Sequence, residues 1–352
     1  MDEVEANRVP DPPDGPRPTV PLAAPSPPPP MAPVPANGAR PGEGLAAIAE
    51  RPAHPRPAPG PGLANGLRVG LSRFMSRFGR QKQAVQDQRG RWIREARLPL
   101  TEPLVIVVAS SKGGVGKTTI SGGGGEELAA LRAERIAVLD AEPLGGTLGL
   151  RVNAQPGPGV PALLNDLSAV EADGSYTAWA RYATVEHSTR VTVFGRTSPL
   201  EGAELTIESY HRIIQGLTRQ WPIVIVDTGR PEGRDVLQAA AVNSADVLVV
   251  VCGPGKPTVD SVAGWLREVK VPPARRVGVL SAPSSGGDPS EAHALLQSQC
   301  SAVIHVPRDP ALDADAPVPL LGGAKPATRD AFLALAAAVM RASQAIRPEE
   351  KE

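Results

Sequence analysis

From Thr101 onward, short aliphatic and β-branched runs alternate with segments whose apolar positions recur every three or four residues. This pattern predicts parallel strands joined by crossover helices. The strand runs are Leu104 to Ala109, Arg135 to Asp140, Val191 to Gly195, Ile223 to Asp227, Val247 to Val251, Val277 to Leu280 and Ala302 to Val306. Helical spacing falls near Glu126 to Ala133, Leu205 to Arg219, Gly233 to Val242, Thr258 to Val269, Pro289 to Gln299 and Thr328 to Ile346. Runs such as Val247-Leu248-Val249-Val250-Val251 are apolar on both faces, as a strand covered by helices on both sides requires. The expected fold class is α/β, a mostly parallel sheet sandwiched by helices.

Upstream the pattern breaks down. Residues 1 to 61 hold 19 of the 40 prolines, among them Pro27-Pro28-Pro29-Pro30, and few large apolar side chains. Such a segment buries too little to offset its ordering entropy, so a disordered, polyproline-biased arm is expected. It serves as a spacer or as a ligand for a proline-binding partner. Between residues 62 and 100, Leu63, Leu67, Leu71, Phe74, Met75 and Phe78 form a helical stripe interrupted by Gly66 and Gly70. The domain plan is therefore an arm over 1 to 61, a lead-in over 62 to 100, an α/β domain over 101 to 347 and a tail over 348 to 352.

Charge sharpens this plan. The whole chain is neutral, with 37 basic and 37 acidic residues, but the lead-in carries nine bases against Asp87 and Glu95, a net +7. With seven acids and five bases in the arm, the remainder holds net −5. The lead-in is thus expected to dock on its own acidic domain or on a protein partner. A membrane surface is the less favoured alternative, and DNA is disfavoured because the domain lacks a basic face. Two cysteines, Cys252 and Cys300, are too few for a disulfide framework, and no run of about 18 apolar residues predicts a membrane span. The expectation is a cytoplasmic protein, with peripheral attachment at the inner face of the membrane as the alternative. The five histidines lack metal-ligand spacing, and Cys252 reads as a small buried hydrophobe.

The chemistry concentrates after the first strand, in Ser111-Lys112-Gly113-Gly114-Val115-Gly116-Lys117-Thr118-Thr119. Glycines there let a tight loop aim backbone N–H groups at phosphate oxygens. Lys117 follows to neutralise the β and γ phosphates, and Thr118 to bind Mg²⁺.

Because Lys112 precedes the paired glycines, this loop resembles the deviant Walker A motif of the ParA/MinD family of ATPases. Asp140-Ala141-Glu142-Pro143 is similar to that family's switch I, and Ile223 to Gly229 to its Walker B strand and switch II. The resemblance covers roughly Leu104 to Ile346. Within the family, the basic lead-in and Gly146 to Val152 are most similar to actinobacterial MinD-like proteins associated with type VII secretion.

The resemblance implies an ATP- and Mg²⁺-binding ATPase that forms a homodimer around nucleotide. It assigns backbone donors to Gly113, Gly114, Val115 and Gly116, phosphate and metal contacts to Lys117, Thr118 and Thr119, and a reach across the dimer to Lys112. Asp140 and Asp227 organise Mg²⁺, Glu142 orients water, and the loop at Pro307 and Asp309 lies beside the base. The competing readings are a nucleotide-binding scaffold that has lost hydrolysis and a DNA-partitioning ATPase.

Three departures from the family pattern stand out. Glu142 occupies a position commonly held by Asp, and misplacing a carboxylate by about 1 Å can cost on the order of 100-fold in rate. An Asn that reads adenine is absent from Val279 to Pro283. Finally, Gly122 to Gly125 interrupt the helix after the phosphate loop, predicting a weak helix that loosens without nucleotide.

Overall fold

The computed structural model describes residues 83–142, 146, 148–152, 157–185, 190–195, 204–229, 236–281, 288–313 and 321–346. The Pro-rich arm, the stripe from Leu63 to Phe78 and the tail 348–352 lie outside them.

Among the described residues, eight strands, numbered in chain order, form one sheet in the order β3-β4-β2-β5-β1-β6-β7-β8. The parallel strands are β1 (Leu104–Ala109), β2 (Ile136–Ala141), β4 (Thr192–Phe194), β5 (Ile223–Thr228), β6 (Val247–Cys252), β7 (Arg276–Ser281) and β8 (Ala302–Val306). The edge strand β3 (Thr184–Val185) runs antiparallel to β4.

All seven runs anticipated from β-branched patterning are strands. Alternation sends their side chains to two cores. Val105, Val107 and Ala109 join one, while Leu104, Ile106 and Val108 join the other. The first core is closed by α4 (Gly159–Asp173), α5 (Tyr176–Ala180), α6 (Ile207–Gln220), α7 (Val236–Asn243), α8 (Lys256–Leu266) and α9 (Ser290–Gln299). The second is closed by α2 (Lys117–Leu131) and α10 (Pro326–Ser343).

The glycine run behaves differently from the sequence expectation. Helix α2 is continuous through Gly122 to Gly125, and all four are buried. A Cβ on Gly123 would lie 2.6 Å from Phe332 Cε1, and one on Gly125 would lie 2.7 Å from Val138 Cγ2. These glycines let α2 pack closely on the sheet and on its neighbour α10, which lies beside it on the same face, so packing offsets the roughly 1 kcal/mol per residue that glycine costs a helix. Intrinsic propensity alone misjudged the segment because the missing side chains are what permit the contact.

The described part of the basic lead-in is a helix over residues 83–96, α1, followed by an irregular link to β1. It docks on the second core through reciprocal capping. Buried Arg132, just past α2, donates to the carbonyls of Ala96 (2.7 Å) and Leu98 (2.8 Å). In return, Arg97 Nε donates to Leu131 O at 3.0 Å. Each guanidinium satisfies carbonyls that the other helix end leaves unpaired. Arg89 pairs with Asp330 at 2.9 Å, and Arg341 with Glu95. This part of the lead-in therefore rests on its own domain, as the charge balance suggested.

The stretch from residue 148 to 185 was not resolved into elements by periodicity. It holds α3 (Leu148–Val152), α4, α5 and β3. Aromatic contacts anchor it: Trp179 is fully buried, and a Cβ on Gly216 of α6 would fall 2.0 Å from its ring. The ring seats only because α6 carries glycine there.

Candidate nucleotide-binding site

The loop between β1 and α2 folds as its glycines dictate. Gly114 (φ 72°) and Gly116 (φ 96°) adopt left-handed backbone, which a side chain would strain. Gly116 is the residue preceding α2, so the loop delivers the chain directly to the positive end of that helix, where the N–H groups lack helical partners. A Cβ on Gly116 would also sit 3.0 Å from Ser281 Oγ, bringing the end of β7 against the loop. Lys117 is buried at the start of α2, whereas Lys112 is exposed on the loop's outer side.

The base of the loop is braced from β5 and α7. Thr228 Oγ1 donates to Val108 O at 2.9 Å, and Gln238 Nε2 donates to Ser110 O at 3.1 Å. The end of the Walker B-like strand and the phosphate loop are thereby one hydrogen-bonded unit.

Two acids flank this unit. Asp140 is the penultimate residue of β2 and Asp227 that of β5, in the same register position on adjacent strands. Both are buried, at 0% and 3% exposure. Asp140 accepts from the N–H groups of Glu142 and Leu148, each at 3.2 Å, and Asp227 accepts from Ser121 Oγ at 3.0 Å.

Burial pushes the Asp140 carboxyl above its ordinary range, and the neighbouring Asp227 charge pushes it further. Burial also raises Asp227, opposed by the hydroxyls of Thr118 and Ser121 and by the Lys117 ammonium. Gly146 is required beside Asp140, since a Cβ there would overlap its carboxylate oxygens at 1.9 Å. Glu142 lies against Gly229, where a Cβ would come within 2.8 Å of its carboxylate. The two switch-like segments thus meet at a glycine.

On the other side of the loop, a cleft with a cavity volume of about 60 Å³ is bounded by Gly116, Thr119 and Ser281 and by residues 306–309, 312 and 313. Pro307 and Asp309, singled out from sequence, line it. The Asp309 carboxylate is occupied internally. It accepts from Thr328 Oγ1 (2.7 Å), Lys325 N (2.8 Å) and Ala311 N (3.2 Å), and these bonds outweigh burial and hold it below the usual carboxylate range. Asp309 therefore shapes the cleft wall through its backbone.

Burial pushes the Cys252 thiol up to about 11, in keeping with a packed hydrophobe. Sequence spacing missed one histidine pair: His293 Nδ1 lies 2.7 Å from His305 Nε2, joined across α9 and β8. Among the described residues no group of three or more His, Cys, Asp or Glu is arranged to hold a metal ion. No helix among them is long and apolar enough to cross a membrane.

A mostly parallel sheet with a glycine loop at the end of its central strand β1, a buried lysine, and an acid pair on β5 and on β2 beyond it define a P-loop fold of the ParA/MinD type. The ParA family ATPase from Chlorobium tepidum shares it, with a TM-score of 0.54 over 67% of this chain and 98% of that one at 18% identity. In sequence, the chain is 30% identical over 178 residues to an uncharacterized ATP-binding protein of Methanocaldococcus jannaschii, covering 50% of this chain and 60% of that protein. It is also 30% identical over 166 residues to the ESX-1 secretion-associated protein EspI of Mycobacterium tuberculosis, covering 46% of this chain and 24% of EspI. The chain thus spans less than two thirds of either curated relative. No family model matches it.

Proposed function

We propose that the chain is an ATP- and Mg²⁺-binding switch of the ParA/MinD type. On this reading it hydrolyses ATP slowly or under a partner's stimulation, dimerises around nucleotide, and regulates or positions a partner machine. The similarity to EspI favours type VII secretion as that machine.

The observation that carries the reading is the convergence of Lys117 and Thr118 on buried Asp227, which abuts the equally buried Asp140 on the next strand. Two such acids repel one another unless a cation joins them, so the donor set suits a hard divalent ion held by Thr118, Asp140 and Asp227. Bound there, Mg²⁺ would neutralise charge on the phosphoryl oxygens. The loop N–H groups from Gly113 to Gly116 hold the phosphates, and Lys117 compensates their charge. Glu142 orients the attacking water, and Pro307 with the backbone at Asp309 flanks the base. Exposed Lys112 extends toward a second copy of the chain.

A scaffold that binds nucleotide without turnover is the second reading, favoured by the longer carboxylate at Glu142.

Calorimetry, light scattering and phosphate release on the full chain test the proposal. Lys117→Ala is expected to abolish Mg-ATP binding. Lys112→Ala is expected to bind ATP within a few fold of the parent yet remain monomeric. Dimerisation of Lys112→Ala with ATP as strong as the parent's would sink the dimer assignment. Absence of turnover in the parent, with binding intact, would favour the scaffold.

A further inference from the structure

Arg151, on the short helix α3, has no part in the assignments above. Its guanidinium bridges two segments that border the cleft from opposite sides. Nη1 donates to Thr119 Oγ1 at 2.6 Å, in the first turn of α2. Nη2 donates to the carbonyl of Leu312 and, at 3.4 Å, to that of Asp313, at the end of the 306–313 loop. Thr119, Leu312 and Asp313 all line the cleft.

The start of α3 is itself tied to the acid pair, because Leu148 N donates to Asp140. A continuous set of hydrogen bonds therefore runs from Asp140 through α3 to both walls of the cleft.

The arrangement is costly as a stability device. Burial pulls Arg151 below its ordinary range, opposed by the charges of Asp227 and Asp313. Its Nε is buried and finds no hydrogen-bond partner among the described residues. A desolvated guanidinium with an unsatisfied donor is commonly no better for stability than an apolar side chain of similar size. What it adds is geometry, since one rigid fork fixes the distance between the phosphate loop's helix and the base-side loop.

We propose that Arg151 is a positioning residue that sets the cleft to take the nucleoside end of a nucleotide, by clamping Thr119 to the Leu312–Asp313 carbonyls. The inference rests on the nucleotide-binding reading above and deepens it. It separates two parts of the ligand: phosphates are held by the loop and Lys117, whereas ribose and base depend on the clamp.

Arg151→Met keeps the stem and removes the fork. Calorimetry on the full-length parent and variant, with Mg-ATP, Mg-ADP and inorganic tripolyphosphate, is read alongside melting temperature without ligand. The expected result is about tenfold weaker ATP and ADP binding, as the cleft walls lose the charge-assisted clamp that sets their spacing. Tripolyphosphate affinity should stay within about twofold, and the ligand-free melting temperature should be unchanged or higher. Equal weakening for tripolyphosphate, unchanged nucleotide affinity, or a lowered ligand-free melting temperature would each overturn the clamp while leaving the nucleotide reading intact. Failure of the parent to bind either nucleotide would instead overturn that reading and the clamp with it.

Discussion

Asp140 and Asp227 stand side by side on β2 and β5, in one register position and almost wholly out of solvent. Adjacent strands are only about 4.8 Å apart, so two carboxylates at the same level and the same end of the sheet destabilise each other's charge. The fold tolerates the pair with hydrogen bonds from Leu148 N, Glu142 N and Ser121 Oγ. An arrangement that costs stability is retained where function uses it.

Neutralising one partner should expose that cost. Asp227→Asn keeps an oxygen to accept from Ser121 and removes one buried charge. Without nucleotide, the variant is expected to gain about 1–2 kcal/mol in stability by thermal or chemical unfolding. Its Mg²⁺-dependent phosphate release should fall by roughly 100-fold or more. A less stable variant with unaltered turnover would show that the pair is structural.

Glu142 reaches over Gly229, so its reach is set by a glycine on the neighbouring switch-like segment. Glu142→Ala is expected to retain ATP affinity and accumulate the ATP-bound dimer. Glu142→Asp, with the shorter side chain common in the family, is expected to raise turnover. Single-turnover rates decide this, and identical rates in parent and both variants would remove Glu142 from the mechanism.

The glycines of α2 should separate by neighbour rather than by helix propensity. At Gly124 a Cβ would meet only Leu335 Cδ2, at 3.9 Å, beside a cavity of about 20 Å³. Gly124→Ala should therefore stabilise by about 1 kcal/mol. Gly123→Ala drives a methyl into the Phe332 ring and should destabilise by about 1–3 kcal/mol. Urea unfolding of both variants checks the pair, and the same sign for both would contradict the packing described.

Glu127, half-buried on α2, has its carboxyl raised from 4.5 to about 7, chiefly by burial. Asp330 and Glu126 reinforce that shift, and Arg89 from α1 and Arg329 from α10 oppose it. A carboxyl raised in the folded state binds more protons folded than unfolded between those two values. Stability is therefore highest below about 4.5 and falls as pH rises through about 7. Allowing for partial exposure, the loss is about 2 kcal/mol. Glu127→Gln should flatten the slope between about pH 5 and 8 and be the more stable protein at the upper end. Unfolding midpoints across that range measure it, and parallel curves for parent and variant would exclude Glu127 as the titrating group.

Much of this molecule is written locally. Apolar β-branched runs such as Val247 to Val251 have no stable state other than a strand covered on both faces, and Gly114 and Gly116 permit the left-handed turns that a phosphate loop requires. The glycine-lysine spacing after β1 singles out Lys117, the resemblance to the ParA/MinD family singles out Asp140 and Asp227, and the fold buries all three. The order of the strands was not legible. It places β5 between β1 and β2, turning residues 87 apart in sequence into an abutting acid pair.

Local propensity also misread Gly122 to Gly125, because the benefit of a missing side chain appears only when Phe332 and Val138 arrive to fill its place. Arg151 falls within the Gly146 to Val152 phrase, but its bridging contacts carried no signal for the same reason. Its partners, Thr119 and the Leu312 carbonyl, lie 32 residues before it and 161 after it. Periodicity and motif spacing report only what neighbouring residues impose on one another, whereas a clamp between distant segments exists only once the chain has closed on itself.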